Sequence, residues 1–357
     1  MMHIVLTNFR IIDESSDFFG SLIIEDGIIK KIIPHKLSEP PSSNTVSPAA
    51  VTINGLDFGR PRNTQNNNSD NNSGEYPILM PAFIDLHAHF RDTGTFGADA
   101  PQPAETTESA SLAAAAGGFG TVVCMANTKP VIDTVEKARI LKQRADALGL
   151  IDLYPVVSLT KNMEGRELTV IPENSGYRPL MLSEDGKDIA DNKVFLAAMK
   201  QAAQLRIPVS CHCDHGGSEA EAAKAAGRPR EEWSRIEENN AVRRAIELGK
   251  AAACHVHIAH VSTKEAAAII RAEKKSAGEH SGFKLTCEAA PLWYLRGLWQ
   301  TARQTFREWS ISRGDMRSLP TSFLPWGRTS ARYPSANRRF VTGLSLYESP
   351  SVKLTVW

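Results

Sequence analysis

Apolar residues come in short bursts along this chain, and between most of them runs a longer stretch with helical spacing. The bursts at 78–86, 121–125, 153–158, 180–182, 207–211, 255–259 and 283–287 predict strands. The intervening 105–116, 134–148, 191–205, 232–248 and 263–275 predict helices. Such alternation implies parallel strands with crossover helices, because a parallel neighbour is reached only by a long return connection. The predicted class is α/β, a (β/α)₈-type barrel that is incomplete at its C-terminal end. A doubly wound sheet would need a glycine-rich phosphate turn after its first strand, and none is present.

Both ends of the chain depart from that rhythm. Residues 3–9, 21–24 and 28–33 read as strands, the last two flanking the turn Glu25-Asp26-Gly27. They predict a small β segment over 1–37. Residues 38–76 contain Pro40-Pro41 and the polar run from Asn66 to Asn72. That composition cannot repay its ordering entropy and predicts a disordered insertion. The barrel occupies 77–291. In 292–357 the β/α period is lost: nine Arg stand against one Lys and three acidic residues, with five of the six Trp. Only Val352, Leu354 and Val356 there alternate like a strand.

Charge narrows the partners. The chain of 357 residues has 41 Lys and Arg against 40 Asp and Glu, so nothing points to nucleic acid. The N-terminus lacks a basic segment followed by an apolar core, and no apolar run is long enough for a bilayer. The expected location is the cytoplasm, with the five cysteines reduced.

The richest chemistry lies in Phe83-Ile84-Asp85-Leu86-His87-Ala88-His89-Phe90-Arg91. Alternation along a strand aims His87 and His89 the same way, with Asp85 and Arg91 on that face. Two imidazoles on one rigid strand suit a single cation such as zinc, and Arg91 beyond them suits a substrate carboxylate. A lone H-x-H is more often a pair of core histidines; Pro81, the apolar run and the trailing Arg favour the metal. Barrel sites collect at the C-terminal strand ends. Asn127 follows the second strand and can bond a carboxylate or form a turn. Asp185 lies in the turn Ser183-Glu184-Asp185-Gly186 past the fourth. His212 ends the fifth, in Ser210-Cys211-His212-Cys213-Asp214, where the C-x-C spacing is poor for a zinc knuckle. In Cys254-His255-Val256-His257-Ile258-Ala259-His260 the apolar face is expected to line the barrel. That puts His260 at its mouth and turns His255 and His257 to the helix layer.

These motifs resemble the amidohydrolase superfamily, and within it the bacterial class I dihydroorotases. The resemblance covers residues 2–291 apart from 38–76. It is carried by Pro81–Gly94, by Ala126-Asn127-Thr128-Lys129-Pro130, by Ser183–Gly186, by His212 and by His260-Val261-Ser262-Thr263-Lys264-Glu265. It implies a metal-bearing barrel with a small β-sandwich built from both chain ends. It implies a zinc site of one or two ions held by His87, His89, Asp185, His212 and His260, with Arg91 and Asn127 on the substrate carboxylate. The implied reaction interconverts N-carbamoyl-L-aspartate and L-dihydroorotate in pyrimidine biosynthesis. Self-association, or docking to aspartate carbamoyltransferase, is the implied partnership. Hydantoinases and allantoinases are similar but place a carboxylated lysine on the fourth strand, where no Lys stands here. The family continues past its Cys-Glu-Ala-x-Pro stretch with paired histidines and a last-strand Asp-His that shuttles the proton. Here Leu292-Trp293-Tyr294 follows and Asp315 is the only later Asp, so no catalytic acid/base is assigned. An inactive, partner-binding homologue is the competing expectation.

Overall fold

The computed structural model describes residues 3–35, 50–58, 77–92, 105–172, 176–276, 282–289 and 354–356. Much of the predicted insertion and nearly all of 292–357 lie outside the described residues. The described chain divides into two compact units, one formed by 1–124, 140–154 and 336–357, the other by 125–139 and 155–335.

The first unit contains a six-stranded sheet. Strands β1 (His3–Ile12), β2 (Asp17–Glu25) and β3 (Ile28–Pro34) run antiparallel in sequence order. The β2–β3 turn has positive φ at Asp26 (48°) and Gly27 (77°), the backbone that a tight two-residue hairpin demands. Ile4, Leu6, Phe9, Ile11, Leu22, Ile24 and Leu79 bury a common apolar cluster. Strand β4 (Val51–Asn54) falls within the stretch read as a disordered insertion. It pairs parallel with β1, and Ile53 packs on the cluster, so a short β-branched run, Val51-Thr52-Ile53, is enough to anchor a strand in a polar stretch.

The predicted strand 78–86 is two strands. Strand β5 (Ile78–Pro81) pairs with β1, while β6 (Phe83–Ala88) joins a different, parallel sheet. Pro81 ends β5 because it has no N–H for the ladder. Two residues on, Phe83 N–H bonds Gly118 O at 2.9 Å. The parallel sheet has the order β6, β7 (Phe119–Cys124), β8 (Asp152–Pro155). Helices α1 (Thr107–Ala116) and α2 (Val135–Leu148) fall between these strands in sequence.

The second unit is built on a four-stranded parallel sheet. Its strands are β9 (Leu182–Ser183), β10 (Val209–Cys211), β11 (His255–Ile258) and β12 (Lys284–Cys287), adjacent in sequence order. The connections carry α3 (Asn192–Gln204), α4 (Gly217–Ala225), α5 (Arg230–Ala252) and α6 (Lys264–Ser276). Strand β13 (Leu354–Val356), the one described piece of the tail, pairs antiparallel with β5 in the first unit's sheet. Among the described residues no helix is long and apolar enough to cross a membrane.

The faces of β11 are the reverse of the expectation. Val256 packs on helix α5, where a Cβ on Gly249 would stand 2.4 Å from its Cγ2. The apolar face therefore meets the helices. His255 and His257 share the other face and both reach Thr286 Oγ1, at 3.0 and 2.9 Å.

Candidate metal centre

The second unit brings Asp185, His212 and His260 together. Asp185 Oδ1 lies 3.3 Å from His212 Nδ1 and 3.4 Å from His260 Nε2, and the two imidazole nitrogens are 2.8 Å apart. One carboxylate and two imidazoles thus converge on a common point, the N/O donor set that zinc takes. Asp185 is almost fully buried, whereas His212 and His260 are partly open. A carboxylate buried beside two imidazoles is well suited to sharing a cation.

Local chain geometry aims each of these side chains. Asp185 follows β9, and Gly186 turns the chain at φ 90°. A side chain there would be strained, and its Cβ would press to 3.1 Å from Asn127 Nδ2. The neighbouring Glu184 points the other way. Its buried carboxylate accepts the N–H groups of Leu159 and Thr160 at 3.0 and 3.2 Å and the Thr160 hydroxyl, tying the turn to the segment after β8. Burial pushes the Glu184 carboxyl above its ordinary range, against those donors. His212 directly follows β10. His260 leaves β11 at φ 37°, in the left-handed region, a conformation that costs a residue with a side chain about 1–3 kcal/mol and is tolerated where a site needs it.

The resemblance assigns Asn127 to a substrate carboxylate. In this structure its amide nitrogen donates to Asp185, 3.0 Å from both the backbone oxygen and Oδ2, and so braces the carboxylate. Sequence reasoning assigns no role to Asp214, two residues past His212 and so on its face were the strand to continue. It lies 3.1 Å from His212 Nε2. Burial works against a charge on His212, but the bonds to Asp185 and Asp214 outweigh it and push the imidazole up to about 10 in the metal-free chain. Burial likewise opposes ionisation of Asp214, and the His212 bond more than offsets it, holding the carboxyl below its ordinary range. The thiols of Cys211 and Cys213 are driven well up by burial, which suits packing rather than ligation.

In the first unit, His87 is the penultimate residue of β6 and His89 directly follows the strand, their rings 5.3 Å apart and nearly edge to face. Asp85 Oδ1 accepts the His87 N–H at 2.9 Å, so it serves the backbone of the motif. Asp92 is fully buried and caps α1 by accepting from Thr107 N–H at 2.8 Å and from the Thr107 hydroxyl. That bond pins the segment carrying His87, His89 and Arg91 to a helix N-terminus.

Comparison with known proteins agrees with this chemistry. The Dihydro-orotase-like family matches residues 77–266, and the chain belongs to that family. It is 34% identical over 224 residues to the dihydroorotase of Staphylococcus epidermidis, covering 60% of this chain and 49% of that protein. It is 32% identical over 291 residues to the dihydroorotase of Clostridium botulinum, covering 81% of this chain and 61% of that one. The chain therefore spans about half to three fifths of the length of these relatives. Among solved structures it is similar to the L-hydantoinase (dihydropyrimidinase) of Arthrobacter aurescens, with TM-score 0.56 and 19% identity over 82% of this chain and 59% of that one. A D-hydantoinase structure gives TM-score 0.55 at 19% identity, over 85% of this chain and 60% of that one. At that identity the likeness is one of fold alone.

Proposed function

We propose that the chain is a zinc-dependent cyclic amidohydrolase acting on L-dihydroorotate and N-carbamoyl-L-aspartate, a cytoplasmic enzyme of pyrimidine biosynthesis. The observation that carries the proposal is the convergence of Asp185, His212 and His260 within 3.4 Å, in a chain of the Dihydro-orotase-like family. His87 and His89 complete the proposed ligand set. When bound, zinc would supply Lewis-acid polarisation of the amide carbonyl and activation of water near neutral pH. Arg91 would hold the substrate carboxylate through its planar donors. Asn127 would join it, its amide turning from Asp185 as the metal takes over that carboxylate. The N-terminal sheet would form the small sandwich.

A second reading has its own support. Asp315 is the only Asp after Pro291 and does not sit in an Asp-His pair. Without a positioned acid/base, turnover would fall by about 10²–10⁴-fold, leaving a metal-binding homologue with little activity. Metal analysis of the purified chain, with a dihydroorotate hydrolysis assay and a parallel hydantoin assay, separates these. Zinc with dihydroorotate turnover supports the enzyme, and zinc without turnover of either substrate supports the homologue. A chain that takes up no zinc refutes both.

A further inference from the structure

The geometry points to Asp214 as the positioning residue that decides which nitrogen of His212 faces the metal, an inference that rests on the zinc reading above. The two ring nitrogens are divided between two environments. Nδ1 faces the cluster, 2.8 Å from His260 Nε2 and 3.3 Å from Asp185 Oδ1, while Nε2 faces Asp214 Oδ2 at 3.1 Å. A neutral imidazole has one N–H, and an ionised carboxylate only accepts. With metal bound the ring is neutral, and its one proton would then sit on Nε2 and the lone pair on Nδ1, the nitrogen that the cluster needs.

Asp214 is itself held. Its other oxygen accepts the Asp188 N–H at 3.1 Å. Asp188 meets Arg244 of helix α5 at 3.3 Å, and Arg244 also donates to Asn192 Oδ1 at 2.6 Å and to Ile189 O. One arginine thus clamps the 188–192 segment, whose backbone fixes Asp214, which fixes the ring. A carboxylate behind a ligand imidazole sets its tautomer and raises its basicity, and losing such a partner costs about 10–100-fold in metal affinity.

The test uses the full chain as wild type, Asp214→Ala and Asp214→Asn, stripped of metal. Zinc affinity is read by competition with a chromophoric chelator, and the metal-free thermal midpoint is read alongside. Asp214→Ala is expected to bind zinc about 10–100-fold more weakly with little change in midpoint. Asp214→Asn is expected to recover most of the loss, since its amide oxygen still accepts Nε2–H. Equal affinity in wild type and Asp214→Ala overturns the inference. So does an Asp214→Asn variant as weak as Asp214→Ala, which would make charge rather than the hydrogen bond the cause. If Asp214→Ala does not fold, heteronuclear NMR of the histidine nitrogens in the zinc-loaded wild type decides: a proton on Nε2 of His212 supports the inference and a proton on Nδ1 sinks it. A wild type that binds no zinc is a separate result, which removes the metal reading itself.

Discussion

Glu184 and Asp185 are adjacent, both buried, and chemically opposite in use. Asp185 faces two imidazoles, while Glu184 satisfies two backbone N–H groups and a hydroxyl. Removing the Glu184 side chain leaves those donors buried, and each orphaned donor costs about 1–3 kcal/mol. Glu184→Ala is therefore expected to lose roughly 3–9 kcal/mol in denaturant unfolding, and Glu184→Gln, which keeps an acceptor, markedly less. Similar losses in both variants would show that the donors find other partners. Asp188 gives a pH-dependent counterpart. Burial raises its carboxyl to about 7, with Arg244 opposing and Asp214 adding. Between its unfolded value of 3.8 and about 7, the folded chain keeps a proton that the unfolded chain releases. Stability from this group is therefore full at low pH and declines as pH rises through that window. Unfolding free energies of wild type and Asp188→Asn, compared at pH 5 and pH 8, are expected to shift in favour of the variant at the higher pH. A difference that does not change with pH would mean that Arg244 keeps Asp188 ionised throughout.

At the scale of elements, α5 and β11 meet at a close joint. A methyl on Gly249 would meet Val256 Cγ2 at 2.4 Å and the Phe283 ring at 3.1 Å. Gly249→Ala is expected to cost about 1–3 kcal/mol by overpacking, and Val256→Ala in the same chain to recover part of it. Thermal unfolding of the two single variants and the double variant measures that coupling; strictly additive losses would rule out the contact. The same joint shows what the sequence makes legible. Strand–helix alternation located β9 to β12 and most helices, because each element repeats its own period. It did not give the polarity of β11. Both faces of a buried parallel strand are covered, so hydrophobicity alone does not say which one meets helices. Helix α4 was missed because its buried residues are Ala220 and Ala223, too small to mark a helical stripe. The proposed metal ligands stand out in the sequence for a different reason. Asp185, His212 and His260 each stand just past a strand end, where a fold of this class gathers its chemistry. Asp214 was equally visible by alternation, yet a carboxylate two residues past a ligand is common enough in solvent to pass unnoticed.

For the molecule as a whole, the proposed ligands are far apart in sequence and close in space: His212 and His260 are separated by 48 positions, and their ring nitrogens lie 2.8 Å apart. An ion held there is bound by the folded chain and lost on unfolding, so its affinity becomes stability. At free zinc one hundred times the dissociation constant, that linkage is worth about 2.7 kcal/mol. For folded units of ordinary size it corresponds to a midpoint rise of roughly 5–10 °C. The unfolded chain offers five cysteines and ten histidines to zinc, which draws the expected rise toward the lower end of that range. Scanning calorimetry with zinc and with chelator should show the shift in wild type and lose it in Asp185→Asn and His260→Ala. Glu273→Gln, a change on helix α6 away from the proposed ligands, should keep it. A rise that survives in Asp185→Asn would place the ion elsewhere, most simply on thiols, and the metal centre would have to be sought among the cysteines instead.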